Sequence, residues 1–114
     1  MQIHQSAEDY LETILMLSQR MGKVRSIDVV NELGFTKASV SIAMKKLREN
    51  GYIAVDGEGN LTLLEPGREI AERIYSRHRL LTHFFMQLGL GEMSAAEDAC
   101  KAEHILSEQT LEKI

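Results

Sequence analysis

The sequence predicts a mainly α-helical chain interrupted once by a β-hairpin. Three observations carry this. Six segments repeat apolar residues every three or four positions, the period of an amphipathic helix. One segment, "YIAVDGEGNLTLLEPG", sets apolar residues on both sides of a glycine-rich turn, as a hairpin does. The single proline, Pro66, stands at the end of that segment.

The first helix spans residues 5 to 21. Ser6 can cap it, acids fill its first turn, and Tyr10, Leu11, Ile14, Leu15 and Leu17 form its apolar stripe. The second, "SIDVVNELG", starts at a capping Ser26, turns Ile27, Val30 and Leu33 to the core, and stops at Gly34. The third, "TKASVSIAMKKLRENG", is capped by Thr36, buries Val40, Met44 and Leu47, and stops at Gly51. Pro66 and Gly67 break the hairpin. A long helix from Arg68 then places Ile70, Ile74, Leu81 and Phe85 inward, and Gly89 and Gly91 close it. Two short helices follow, one opened by Ser94 and one by Ser107.

A length of 114 residues suits one small module with a helical appendage. Hydrophobic residues are 44% and charged residues 26%, as in soluble globular chains. No apolar run is long enough to span a bilayer, and "MQIHQSAEDY" lacks the pattern of a signal peptide. One cysteine cannot form an internal disulfide, so a reducing cytoplasm is the expected compartment. The net charge of −4 argues against a uniformly basic nucleic-acid coat, though not against one basic face.

Helix, tight turn, helix, hairpin is the order of a winged helix-turn-helix. Between Lys23 and Asn50, six basic side chains face three acidic ones, a net +3 inside an acidic chain. Thr36, Lys37, Ala38, Ser39 and Ser41 lie at the start of the third helix, where short side chains approach base edges and phosphates. Arg25, Ser26, Lys45 and Lys46 complete the expected DNA-binding set, with Arg48 further along. Lysine-rich faces are also common on ordinary helical bundles, and winged helices serve as protein-interaction modules too.

Three groups of residues have metal-ligand chemistry. Cys100, Glu103 and His104 stand at i, i+3 and i+4, which one helix face would bring together. Asp9 and Glu12 pair in the same way on the first helix, and His78 lies on the long helix. Each group has an ordinary alternative: a buried thiol, solvated acids and a surface histidine. Their occurrence together favours a divalent transition metal. His4 and His83 are two further imidazoles without an assigned role. No phosphate loop, nucleophile elbow or His-Glu-x-x-His is present, so an enzyme is not expected. Cys100 acting as a redox-sensing thiol is the rival reading, disfavoured by the neighbouring Glu103.

Across nearly its whole length the chain resembles the diphtheria toxin repressor family of iron- and manganese-dependent transcriptional regulators. The resemblance rests on "AEDYLETI", "TKASVSIAMKKLRENG", "LTLLEPGREIA", "RHRLL" and "EDACKAEHILSE", the last being the most specific. It implies a winged helix-turn-helix DNA-binding domain over residues 1–66, then a linking helix and helical metal-binding and dimerisation domain over 67–114. It also implies a homodimer on a palindromic double-stranded DNA operator, without a membrane or small-molecule substrate. The implied metal ligands are Asp9, Glu12, His78, Cys100, Glu103 and His104. The iron branch typically has methionine where Asp9 stands, and the manganese branch glutamate where Cys100 stands. Thr82 and Ala96 occupy two positions of the iron branch's ancillary site. The expected ion is Mn²⁺ or Fe²⁺. Soft sulfur also admits Co²⁺, Ni²⁺, Zn²⁺ or Cd²⁺ as substitutes.

Overall fold

The computed structural model describes residues 5–114. The chain forms two compact units, Met1–Glu72 and Arg73–Ile114. In order, the elements are α1 (Gln5–Met21), β1 (Val24–Arg25), α2 (Ser26–Leu33), α3 (Lys37–Glu49), β2 (Ile53–Val55), β3 (Asn60–Leu63), α4 (Glu65–Gln87), α5 (Glu92–Ala102) and α6 (Glu108–Lys113). The mainly helical architecture with one small sheet is the one expected.

In the first unit, α1 buries the predicted stripe Tyr10, Leu11, Ile14, Leu15 and Leu17. Ser6 lies inside this helix, so it does not cap it. The turn between α2 and α3 needs backbone that only glycine adopts without strain. Gly34 has φ of 72°, and its N–H donates to the Val30 carbonyl at 2.8 Å, closing α2. Thr36 then caps α3 by accepting from the Ser39 N–H at 3.1 Å. Val40, Met44 and Leu47 are buried as predicted.

The second helix departs from expectation in two ways. Arg25, not Ser26, is its N-cap residue, and the Arg25 N–H donates to Asp28 Oδ2 at 2.8 Å. Its buried residue is Val29, while Ile27 is exposed. Both follow from β1, whose two residues were not anticipated. Pairing of Val24 with Leu61 and Arg25 with Asn60 sets where the chain enters α2 and rotates the helix accordingly.

β3 is the central strand, with order β1-β3-β2. β2 and β3 form the expected antiparallel hairpin, pairing Ile53 with Leu63, Ala54 with Thr62 and Val55 with Leu61. Its turn is held by Asp56, whose carboxylate accepts from the N–H groups of Glu58 and Asn60, both at 2.9 Å, and from Asn60 Nδ2 at 3.0 Å. These donors, Asn60 foremost, hold the Asp56 carboxyl below its ordinary value of 3.8.

The hairpin ends before Pro66 and Gly67, but the long helix starts at Glu65, earlier than the Arg68 expected, so both residues form the first turn of α4. A proline costs nothing there, since its missing N–H has no helical partner in the first turn. Gly67 is required by space. A Cβ at that position would lie 2.2 Å from the Tyr52 carbonyl oxygen, which itself accepts from the Leu64 N–H at 3.0 Å.

In the second unit, α4 continues from the boundary with Ile74 and Leu81 fully buried. Phe85 is only half-buried. α5 begins at Glu92 after Gly91, earlier than a Ser94 cap would allow, and ends at Ala102. α6 is capped by Ser107, as predicted, through the Thr110 N–H at 3.2 Å. Among the described residues, no helix is long and apolar enough to cross a membrane.

Two outcomes test this packing. Gly67→Ala should destabilise the protein by about 1–3 kcal/mol in chemical denaturation, because the obstructing atom is backbone. Asp56→Ala should also be less stable than the wild type at neutral pH. A lowered carboxyl pKa contributes stability above the ordinary aspartate range and loses it as pH falls. The difference between wild type and Asp56→Ala should therefore shrink in acid, as followed by thermal unfolding across pH.

Candidate metal centre and nucleic-acid interface

The second unit assembles a compact donor group around one carboxylate. Glu103 follows the last residue of α5 and is fully buried. Its Oε2 lies 2.9 Å from His78 Nδ1 on α4. Its Oε1 lies 3.4 Å from His104 Nε2 and makes no hydrogen bond among the described residues. The His104 side chain is itself only 2% exposed, and that of His78 21%. An ionised carboxylate this far from water needs compensating charge or strong hydrogen bonds. A buried carboxylate between two imidazoles, with one oxygen that makes no hydrogen bond, is a donor set that fits a divalent transition metal.

Glu103 caps α5 in helical backbone, its N–H donating to the Ala99 carbonyl at 2.9 Å, so it keeps the helical register three residues beyond Cys100, and His104 follows in the turn. Cys100 is exposed whereas Glu103 is not. His83 is exposed, and His4 lies outside the described residues.

In the first unit, Asp9 and Glu12 stand one helical turn apart on α1. Asp9 is half-buried and Glu12 is 6% exposed. Burial beside the apolar stripe marks Glu12 as more than a solvated acid. The adjoining Tyr10 meets Phe35 edge-on, with ring centroids 6.0 Å apart. Its hydroxyl pKa is raised by burial and then by the charge of Asp9.

The candidate nucleic-acid face lies on the outside of α3. Lys37, Ala38, Ser39, Ser41, Lys45 and Lys46 are all exposed. Thr36 is exposed too, but its hydroxyl is engaged: it accepts from the Ser39 N–H and sits 2.9 Å from Ser39 Oγ. Thr36 therefore orients the helix start. Arg25 is exposed and Ser26 half-buried. A Cβ on Gly59 would lie 3.4 Å from Arg25 Nη2, so the guanidinium covers the hairpin turn. The sequence reading missed Ile42, which is 59% exposed. Val40, Met44 and Leu47 each lie about 140–160° around the helix axis from it, at 100° per residue. Its signal was an apolar residue off the buried stripe, with the chemistry to contact a thymine methyl.

A winged helix-turn-helix with a basic outer helix, joined to a helical unit with metal-ligand donors, defines a class of metal-dependent DNA-binding regulators. Comparison with known proteins agrees. The family model for the iron dependent repressor N-terminal DNA binding domain matches residues 2–61. That for the iron dependent repressor metal binding and dimerisation domain matches residues 64–114. An uncharacterized HTH-type transcriptional regulator of Methanocaldococcus jannaschii is 36% identical, over 96% of this chain and 90% of that protein. The HTH-type transcriptional regulator MntR of Lysinibacillus sphaericus is 31% identical, over 96% of this chain and 78% of that protein. Among solved structures, the manganese regulator SloR superposes with a TM-score of 0.81 at 28% identity, covering 99% of this chain and 52% of SloR. A manganese-dependent transcriptional repressor complex with manganese gives 0.84 at 29% identity, covering 94% and 50%. This chain thus spans about half the length of those two solved chains. The chain belongs to the iron-dependent repressor family of metal-dependent, DNA-binding transcriptional regulators.

The donor group makes a direct prediction. Mn²⁺ or Co²⁺ at about a hundred times its dissociation constant should stabilise the wild type by about 2.7 kcal/mol. Glu103→Gln keeps the side-chain shape but removes the charge, and should lose most of that gain in thermal unfolding.

Proposed function

We propose that this chain is a homodimeric cytoplasmic repressor that requires Mn²⁺ or Fe²⁺ to hold a palindromic operator controlling metal-uptake or homeostasis genes. It is not an enzyme. The observation that carries the reading is Glu103, fully buried, between His78 and His104. The DNA-reading part occupies residues 1–66 and the metal-binding and dimerising part 67–114.

As the family resemblance implies, Asp9 and Glu12 on α1 join His78, Cys100, Glu103 and His104 as metal donors. A bound divalent cation supplies positive charge that these carboxylates, imidazoles and thiolate share. His78 orients the Glu103 carboxylate through its Nδ1. Lys37, Ser39, Ser41, Lys45 and Lys46 contact DNA, the lysines chiefly at phosphates. Arg25 and Ser26 contribute at the start of α2, with Thr36 and Ala38 at the start of α3. Metal favours the DNA-competent state through its differential affinity for the two states.

A second reading is favoured by the exposure of Cys100, which would let it act as a redox-sensing thiol. DNA affinity that responds to peroxide and ignores chelators would support that reading.

The test is fluorescence anisotropy on a site selected by the wild-type protein from random duplexes, in Mn²⁺ and in chelator. Binding should be tight only with metal, and equal affinity in both would sink the switch. Lys46→Ala should lower the slope of log affinity against log salt by about one unit on every duplex. Lys37→Ala should weaken the selected site more than unrelated DNA.

A further inference from the structure

The α5 terminus leaves backbone carbonyls without helical partners, as every helix end does. One of them belongs to Glu103, the residue whose carboxylate sits between the two imidazoles. Its partner is not a local cap. Arg77 Nη1, from α4, donates to the Glu103 carbonyl oxygen at 3.3 Å. The same guanidinium points Nη2 at Glu108 Oε1 on α6, 3.9 Å away. The Arg77 side chain is only 17% exposed, whereas that of Glu108 is 80% exposed. Thus α4 grips Glu103 twice: His78 holds the carboxylate, and the preceding residue, Arg77, holds the backbone.

We infer that Arg77 is a positioning residue for the metal donors, acting as a remote cap that fixes the turn carrying Glu103 and His104. The inference rests on the metal-binding reading above. A turn just beyond a helix end has few hydrogen bonds of its own. Here the Glu103 N–H donates to the Ala99 carbonyl at 2.9 Å, and the Ile105 and Leu106 N–H groups donate to the Ala102 carbonyl at 3.1 and 3.2 Å. None of these bonds fixes the Glu103 carbonyl. A planar guanidinium can bond two groups in a fixed fork, and its positive charge complements the carbonyl end of α5. Arg77 also carries charge of the same sign as the ion. Positioning and repulsion therefore predict opposite effects of removing it, which makes the inference testable.

The experiment titrates full-length wild type, Arg77→Ala, Arg77→Lys and Glu108→Gln with Co²⁺, following the visible absorption spectrum. Removing a residue that orients metal ligands costs about 10- to 100-fold in affinity. Arg77→Ala should fall in that range and show an altered Co²⁺ spectrum, with the thermal midpoint of its metal-free form close to wild type. Arg77→Lys keeps the charge but not the fork, and should recover only part of the affinity. Glu108→Gln should change affinity less than about twofold, since that contact is long and solvated. Wild-type affinity and spectrum in Arg77→Ala, or tighter binding, would overturn the inference while leaving the metal reading intact. So would a loss of affinity matched by a comparable loss of metal-free stability. Failure of the wild type itself to bind Co²⁺, Mn²⁺ or Fe²⁺ would overturn both.

Discussion

The 2.9 Å contact between His78 and Glu103 is the constraint on which the second unit depends. A fully buried carboxylate without a partner costs several kcal/mol, and a hydrogen bond involving a charged group returns about 1.5–3. The contact thus offsets part of the cost of placing Glu103 inside and leaves Oε1 turned toward His104. Other features follow from keeping that carboxylate in place. α5 stops at Ala102, so that Glu103 sits at its end, and Arg77 reaches across from α4 to the Glu103 carbonyl.

The first unit solves a different problem, which is to show a basic face on an acidic chain. Its core is built from the α1 stripe, Val29 of α2 and the inner side of α3. That leaves Lys37, Lys45 and Lys46 on the outside of α3, together with Ser39 and Ser41. The wing is held by its own turn, where Asp56 collects three hydrogen bonds, and is anchored to α2 through β1. Asp56 is thereby occupied within the turn. The uniform exposure of the α3 lysines is what makes electrostatic attraction to phosphates available, and such attraction depends strongly on salt.

Much of this was legible in the sequence because periodicity and capping are local. The α1 and α3 stripes, the Thr36 and Ser107 caps and the hairpin needed nothing beyond neighbouring residues. The misreadings arose where a distant partner decided. Two-residue β1 exists only because β3 pairs with it, and it moved the α2 cap from Ser26 to Arg25 and its core residue to Val29. Pro66 and Gly67 follow the end of the hairpin, but the sequence places the helix start at Arg68, whereas the first turn of α4 accommodates both. The ligand-type residues were legible as residue types. The burial of Glu103 was not, because its carboxylate meets His78, 25 residues away in the chain. The role of Arg77 could not be read locally at all, since its partners lie 26 and 31 residues along the chain.

In the proposed switch, metal and DNA bias the same equilibrium. Such coupling must be reciprocal: if metal strengthens DNA binding by some factor, DNA must strengthen metal binding by that factor. The most direct measurement is Mn²⁺ affinity by calorimetry, for the protein alone and for the protein saturated with its selected duplex. The account predicts tighter binding on DNA by about 5- to 150-fold, the usual range for allosteric coupling. Identical Mn²⁺ affinities in the two titrations would contradict it.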